Sequence, residues 1–164
     1  MPPAETWRRR RHLLCPPAHR AHADRYRARR HRRGGRSVTG NNQLPLLIIE
    51  DEPSVQVFLR TALQRDGFQT VMAASGTEGL RLLQQQQFSG VISDMRTPGG
   101  VNGGDVHAWL VSNRPELVTR MLFITGDIVN DETREILQRT GVPCIEKPFR
   151  VQELLAVVKQ VMGN

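Results

Sequence analysis

From residue 44 onward the sequence alternates five short apolar runs with five longer amphipathic stretches, which restricts the chain to βαβ units wound around a parallel sheet. The first run, Leu46-Leu47-Ile48-Ile49, is apolar at consecutive positions, as suits a strand covered by helices on both faces. The first helix follows Pro53; Val55, Phe58, Leu59, Ala62 and Leu63 form its stripe, and Gly67 stops it. Phe68 to Ala73 reads as the second strand, and Ser75 with Glu78 makes a capping box for a helix running to the glutamines at 84–87. Val91 to Ser93, ending at Asp94, gives the third strand. A turn-rich loop, MRTPGGVNGG, separates it from a helix carrying Val106, Trp109 and Leu110. Met121 to Thr125 is the fourth strand, Asp131 caps a helix with Ile136 and Leu137, and Val142 to Ile145 is a short fifth strand. The last helix shows the stripe Val151, Leu154, Leu155, Val158, Val161 and Met162.

The formal charge of +7 would point to nucleic acid if it were spread over this region. It is not. Residues 1–43 hold twelve arginines against Glu5 and Asp24, leaving eleven basic and fourteen acidic residues in 44–164. With few large apolar residues, residues 1–43 cannot offset the entropy of ordering and read as a disordered Arg/Pro-rich tail. Their composition, without lysine, fits a translated GC-rich upstream region or a linker better than a nucleic-acid-binding arm, so nucleic-acid binding through the tail is the minor alternative. Pro16 and Pro17 interrupt what could pass for a signal peptide, and no later run approaches membrane-spanning length, so a soluble cytoplasmic protein with no membrane partner is expected. Cys15 and Cys144 have no spacing for zinc or a disulfide framework and are expected to be ordinary thiols.

Right-handed crossovers leave few topologies for five such units, the commonest being the flavodoxin-like (βα)5 doubly wound sheet of order 2-1-3-4-5 in three α/β/α layers. Ligands then bind beyond the carboxyl ends of the strands. Strand one ends in Glu50-Asp51, strand three in Asp94 and strand four in Thr125-Gly126, while strand five is followed by Lys147-Pro148. Taken singly, each is the ordinary residue of a strand end or loop. Their joint placement changes the reading.

Three carboxylates converging on one point repel each other unless a cation sits among them. All-oxygen ligation with few protein donors favours Mg2+, which commonly bridges carboxylates and a phosphate. A lysine across the site serves phosphoryl oxygens as a point charge, and a threonine hydroxyl donates to another. No Ser, Cys or His is paired with a base there, so the available nucleophile is a carboxylate.

The set Glu50-Asp51, Asp94 with Pro98, Thr125-Gly126 and Lys147-Pro148-Phe149 resembles the CheY-like receiver domain of bacterial two-component response regulators, over residues 44–163. The resemblance implies that Asp94 is the phosphoacceptor, taking a phosphoryl group from a sensor histidine kinase or a histidine phosphotransfer protein. It implies that Asp51, Asp94 and the backbone carbonyl of Arg96 bind Mg2+ directly, with Glu50 acting through water. Thr125 and Lys147 would contact phosphoryl oxygens, the Lys147-Pro148 bond would be cis, and a shift of the strand-four hydroxyl would reshape the fourth helix face. The chemistry would be limited to self-catalysed phosphoryl transfer and slow autodephosphorylation. The module would be a signalling domain rather than an enzyme.

Two departures from the family pattern stand out. Cys144 occupies the switch position where the family commonly has Tyr or Phe. After Asp94 the expected glycine is replaced by Asn102, followed by Gly103 and Gly104, which reads as a one-residue insertion in which Asn102 tolerates positive φ. Arg96 and Asp127 sit where the family tunes phosphoryl lifetime. His107 reads as a helix-surface histidine and Trp109 as packing. The fourth and fifth helices are a candidate homodimer surface, although the core accounts for the last stripe. The sequence stops just after the final helix, so output through protein contacts is expected, either as a stand-alone regulator or as the receiver of a hybrid sensor kinase. The enzyme alternative, a haloacid-dehalogenase-like phosphatase, wants a second aspartate where Arg96 stands.

Overall fold

The computed structural model describes residues 43–163. The expectation of a disordered tail, and the readings of Cys15 and of nucleic-acid binding, therefore lie outside the described residues, Gln43 apart. Residues 43–164 form one compact unit.

The elements run β1 (Leu46–Ile49), α1 (Pro53–Arg65), β2 (Thr70–Ala73), α2 (Gly76–Gln85), β3 (Gly90–Asp94), α3 (Gly103–Asn113), α4 (Pro115–Val118), β4 (Met121–Thr125), α5 (Asp131–Thr140), β5 (Cys144–Glu146) and α6 (Val151–Met162). All strand pairs are parallel and the order is β2-β1-β3-β4-β5, the doubly wound arrangement the sequence predicts. Period-two alternation sends Leu47 and Ile49 into one apolar cluster with Leu83, Val106, Leu110, Phe123 and Ile136. Leu46 and Ile48 enter a second cluster with Leu59, Leu63, Leu154 and Val158. Thus α1 and α6 cover one face of the sheet, and α2, α3 and α5 the other. Among the described residues no helix is long and apolar enough to cross a membrane.

Several boundaries differ from the sequence reading. β2 begins at Thr70, because Phe68 belongs to the turn after α1, its N–H donating to Leu63 O at 3.0 Å while its ring is buried. β5 starts two residues later than expected, and Val142, though buried, precedes the ladder. Asn130 rather than Asp131 caps α5, accepting from the Thr133 N–H at 3.2 Å. At α2 Ser75 caps as expected, but the Glu78 carboxylate reaches back to the Ala74 N–H at 2.8 Å, one residue further than a capping box requires. The short helix α4, begun by Pro115, is additional to the five helices expected.

Candidate functional site

The parallel register brings the strand ends together. Ile49 is level with Ser93, and Asp94 with Ile124, so Glu50, Asp94 and Thr125 leave the same edge of the sheet. Lys147 is held there through its backbone, its N–H donating to Thr125 O at 2.7 Å. The Lys147-Pro148 peptide is cis, as the resemblance implies.

Ligand oxygens of Glu50, Asp51 and Asp94 lie within 4.8 Å of one another. Glu50 is 1% exposed and Asp94 buried, whereas Asp51 is open to solvent. Lys147 Nζ donates to Glu50 Oε2 at 2.8 Å and to Asp94 Oδ2 at 2.7 Å. The remaining oxygens are also used: Glu50 Oε1 accepts from the Glu52 N–H at 3.1 Å, and Asp94 Oδ1 from the Arg96 N–H at 3.0 Å. The Gln56 side-chain amide donates to the Glu50 carbonyl, a support that nothing in the motif signals.

Burial pushes the Glu50 carboxyl above its ordinary 4.5, and the bonds from Lys147 and the Glu52 N–H only partly oppose this. For Lys147, burial acts downward, but the bonds to Asp94 and Glu50 outweigh it and the net direction is upward from 10.5. Three carboxylates gather beside one ammonium, and the donor set is all oxygen. These residues fit a hard divalent cation.

Thr125 is buried at the end of β4, where its Oγ1 accepts from the Asp127 N–H at 3.2 Å. A Cβ added at Gly126 would meet nothing within 4 Å, so packing does not call for glycine there. Cys144 opens β5 beside Phe123, one register step before the level of Asp94 and two strands away from it, and packs, half-buried, against the α2/α3/α5 cluster.

The loop after Asp94 differs from expectation. Positive φ falls on Gly99 (95°) and Gly100 (80°), while Asn102 is extended at −93° and caps α3 in a reciprocal box with Asp105. Two short local bonds make the cap preferable to the left-handed conformation: Asp105 N–H to Asn102 Oδ1 and Asn102 N–H to Asp105 Oδ2, each 2.9 Å. The spacing Asn-x-x-Asp was the available signal. Gly103 is required by close approach instead, since a Cβ there would lie 2.9 Å from the Phe123 ring and 3.2 Å from Asp94 O. His107 lies on α3, partly open to solvent. It is half-buried, and its Nε2 has no hydrogen-bond partner among the described residues.

Compared with known proteins, residues 46–159 match the family model of the response regulator receiver domain. The chain belongs to this family. The putative NtrX-like response regulator of Rickettsia felis is 27% identical over 119 residues, covering 73% of this chain and 25% of that protein. The chain thus spans about a quarter of the length of this relative. Vibrio cholerae chemotaxis protein CheY4 superposes with a TM-score of 0.63 at 25% identity, covering 73% of this chain and 98% of the other. Response regulator TrrA of Thermotoga maritima, solved in complex with Mg(2+)-BeF, shares the fold at TM-score 0.63 and 23% identity, over 73% and 99% of the two chains. Receiver domains are signalling modules of two-component systems, bind Mg2+ at their acidic site and work with histidine kinases. Membership places this receiver among signalling domains rather than haloacid-dehalogenase-like phosphatases.

Proposed function

We propose that this receiver accepts a phosphoryl group on Asp94 from the phosphohistidine of a sensor kinase or a histidine phosphotransfer protein. The observation that carries the reading is the placement of three carboxylates within 4.8 Å of each other beside a lysine bonded to two of them. Asp51, Asp94 and the Arg96 carbonyl would hold Mg2+, with Glu50 acting through water. Bound there, the ion supplies positive charge against the phosphoryl oxygens and the carboxylates.

The residues themselves do the rest. An Asp94 carboxylate oxygen attacks phosphorus, and the P–O bond forms as the P–N bond breaks. The bonding pair stays with the imidazole nitrogen, and a proton on the other ring nitrogen lets the histidine leave neutral. Lys147, already bonded to Asp94, turns its ammonium to a phosphoryl oxygen, and the Thr125 hydroxyl donates to another. Attack by water on phosphorus later restores the carboxylate and releases inorganic phosphate. The signal would pass through protein contacts as the Thr125 hydroxyl moves and the face of α5 reshapes, with Cys144 in place of the usual aromatic.

Incubation with acetyl phosphate and magnesium, read by intact mass, tests this. Wild type gains one phosphoryl mass and Asp94→Asn gains none. Equal gain by both would sink the assignment.

A further inference from the structure

Thr97 lies three residues beyond Asp94, and its side chain bonds in two directions. Its Oγ1 accepts from the Gly76 N–H at 2.9 Å and donates to the Val101 carbonyl at 3.1 Å. Gly76 is the first residue of α2, so its N–H is one of the donors that a helix start leaves without an intrahelical acceptor. It is also buried, and no side chain fits there, because a Cβ on Gly76 would collide with Val101 O and the Val101 side chain. The start of α2 and the loop after Asp94 are therefore pressed together backbone to backbone, with one hydroxyl as the polar joint.

This joint bears on Arg96, the residue between Met95 and Thr97. Met95 is fixed on both sides, its N–H donating to Ile124 O at 2.8 Å and its carbonyl accepting from the Gly103 N–H at 3.0 Å. Beyond Thr97 the loop runs through Pro98, Gly99 and Gly100, all exposed, the two glycines at positive φ. Such a segment has little of its own to hold it in one conformation. Without Thr97, Arg96 would be anchored on one side only.

We infer that Thr97 is a positioning residue for the metal site, its hydroxyl clasping the loop to α2 so that the Arg96 carbonyl is held ready for Mg2+. The inference rests on the magnesium ligands given under Proposed function. Partners behind a metal ligand commonly govern affinity by one to two orders of magnitude when removed, because an ill-positioned ligand must be ordered at the moment of binding.

Magnesium titrations of the full chain followed by amide NMR test it with wild type, Thr97→Val and Thr97→Ser. Valine keeps the volume and removes both bonds, and its Mg2+ dissociation constant is expected to rise about tenfold. Serine keeps the hydroxyl and is expected to restore wild-type affinity, which a purely space-filling role of the threonine would not produce. If the valine variant binds as tightly as wild type, the inference is overturned while the reading of the site stands. If wild type takes up no magnesium, the reading of the site falls and this inference with it. Should the valine variant fail to fold, hydrogen exchange at the wild-type Gly76 amide decides: slower exchange on adding magnesium supports the clasp, and unchanged exchange overturns it.

Discussion

Lys147 Nζ stands 2.7 Å from Asp94 Oδ2, with the same nitrogen 2.8 Å from Glu50 Oε2. A single ammonium thus bonds to two carboxylates at the end of the sheet, one of them wholly buried, and its one charge offsets only part of theirs. Removing it in Lys147→Ala leaves both without their nearest cation, and the unfolding free energy in urea is expected to fall by about 2 kcal/mol. On the proposed reading magnesium supplies charge at the same place, so its addition is expected to return part of that loss. A variant whose loss is the same with and without the ion would show that the two cations do not share a site.

Mg2+ itself should stabilise the wild-type fold. At about one hundred times its dissociation constant a ligand specific for the native state adds about 2.7 kcal/mol. Thermal unfolding with magnesium and then with excess chelator measures this, and Asp51→Asn is expected to lose most of the difference.

Gly103→Ala sets a methyl against the Phe123 ring and the Asp94 carbonyl. Overpacking at a site this tight costs about 1–3 kcal/mol. Because part of the strain falls on the Asp94 backbone, phosphoryl uptake from acetyl phosphate is expected to slow even at temperatures where the variant remains folded, which circular dichroism alongside the mass assay resolves.

His107 predicts a pH dependence. Burial, and after it the Arg139 guanidinium, hold its imidazole below the ordinary 6.5. The unfolded chain then binds a proton before the folded one does, so stability is complete above 6.5 and declines as pH falls from there through the folded value. Melting temperatures across this window are expected to drop more steeply for wild type than for His107→Gln. Parallel slopes would assign the decline to other groups.

Much of this was legible in the sequence because strand ends in a doubly wound sheet share one edge. Once Leu46–Ile49, Val91–Ser93 and Met121–Thr125 are read as strands, the neighbourhood of Glu50, Asp94 and Thr125 follows from topology without any distance. Lys147 needed the fifth strand as well, and placing that strand two residues early did no harm because the motif Lys-Pro fixed the position. What escaped lay in side chains bonding to backbone. Whether Asn102 turns left-handed or caps a helix depends on Asp105 three residues later, and Thr97 gains its role from a close approach to Gly76 that no local pattern encodes. That the His107 ring is partly buried, with Nε2 shielded, is likewise not encoded in the pattern of α3.

The two apolar clusters lie on opposite faces of one sheet, and β1 feeds them by turns, Leu47 and Ile49 to one and Leu46 and Ile48 to the other. Leu63 and Leu110 belong to different clusters, so the costs of Leu63→Ala and Leu110→Ala should simply add. The sheet acts as a partition wall. Over generations, the helices on one side are free to drift in sequence without requiring compensation on the other.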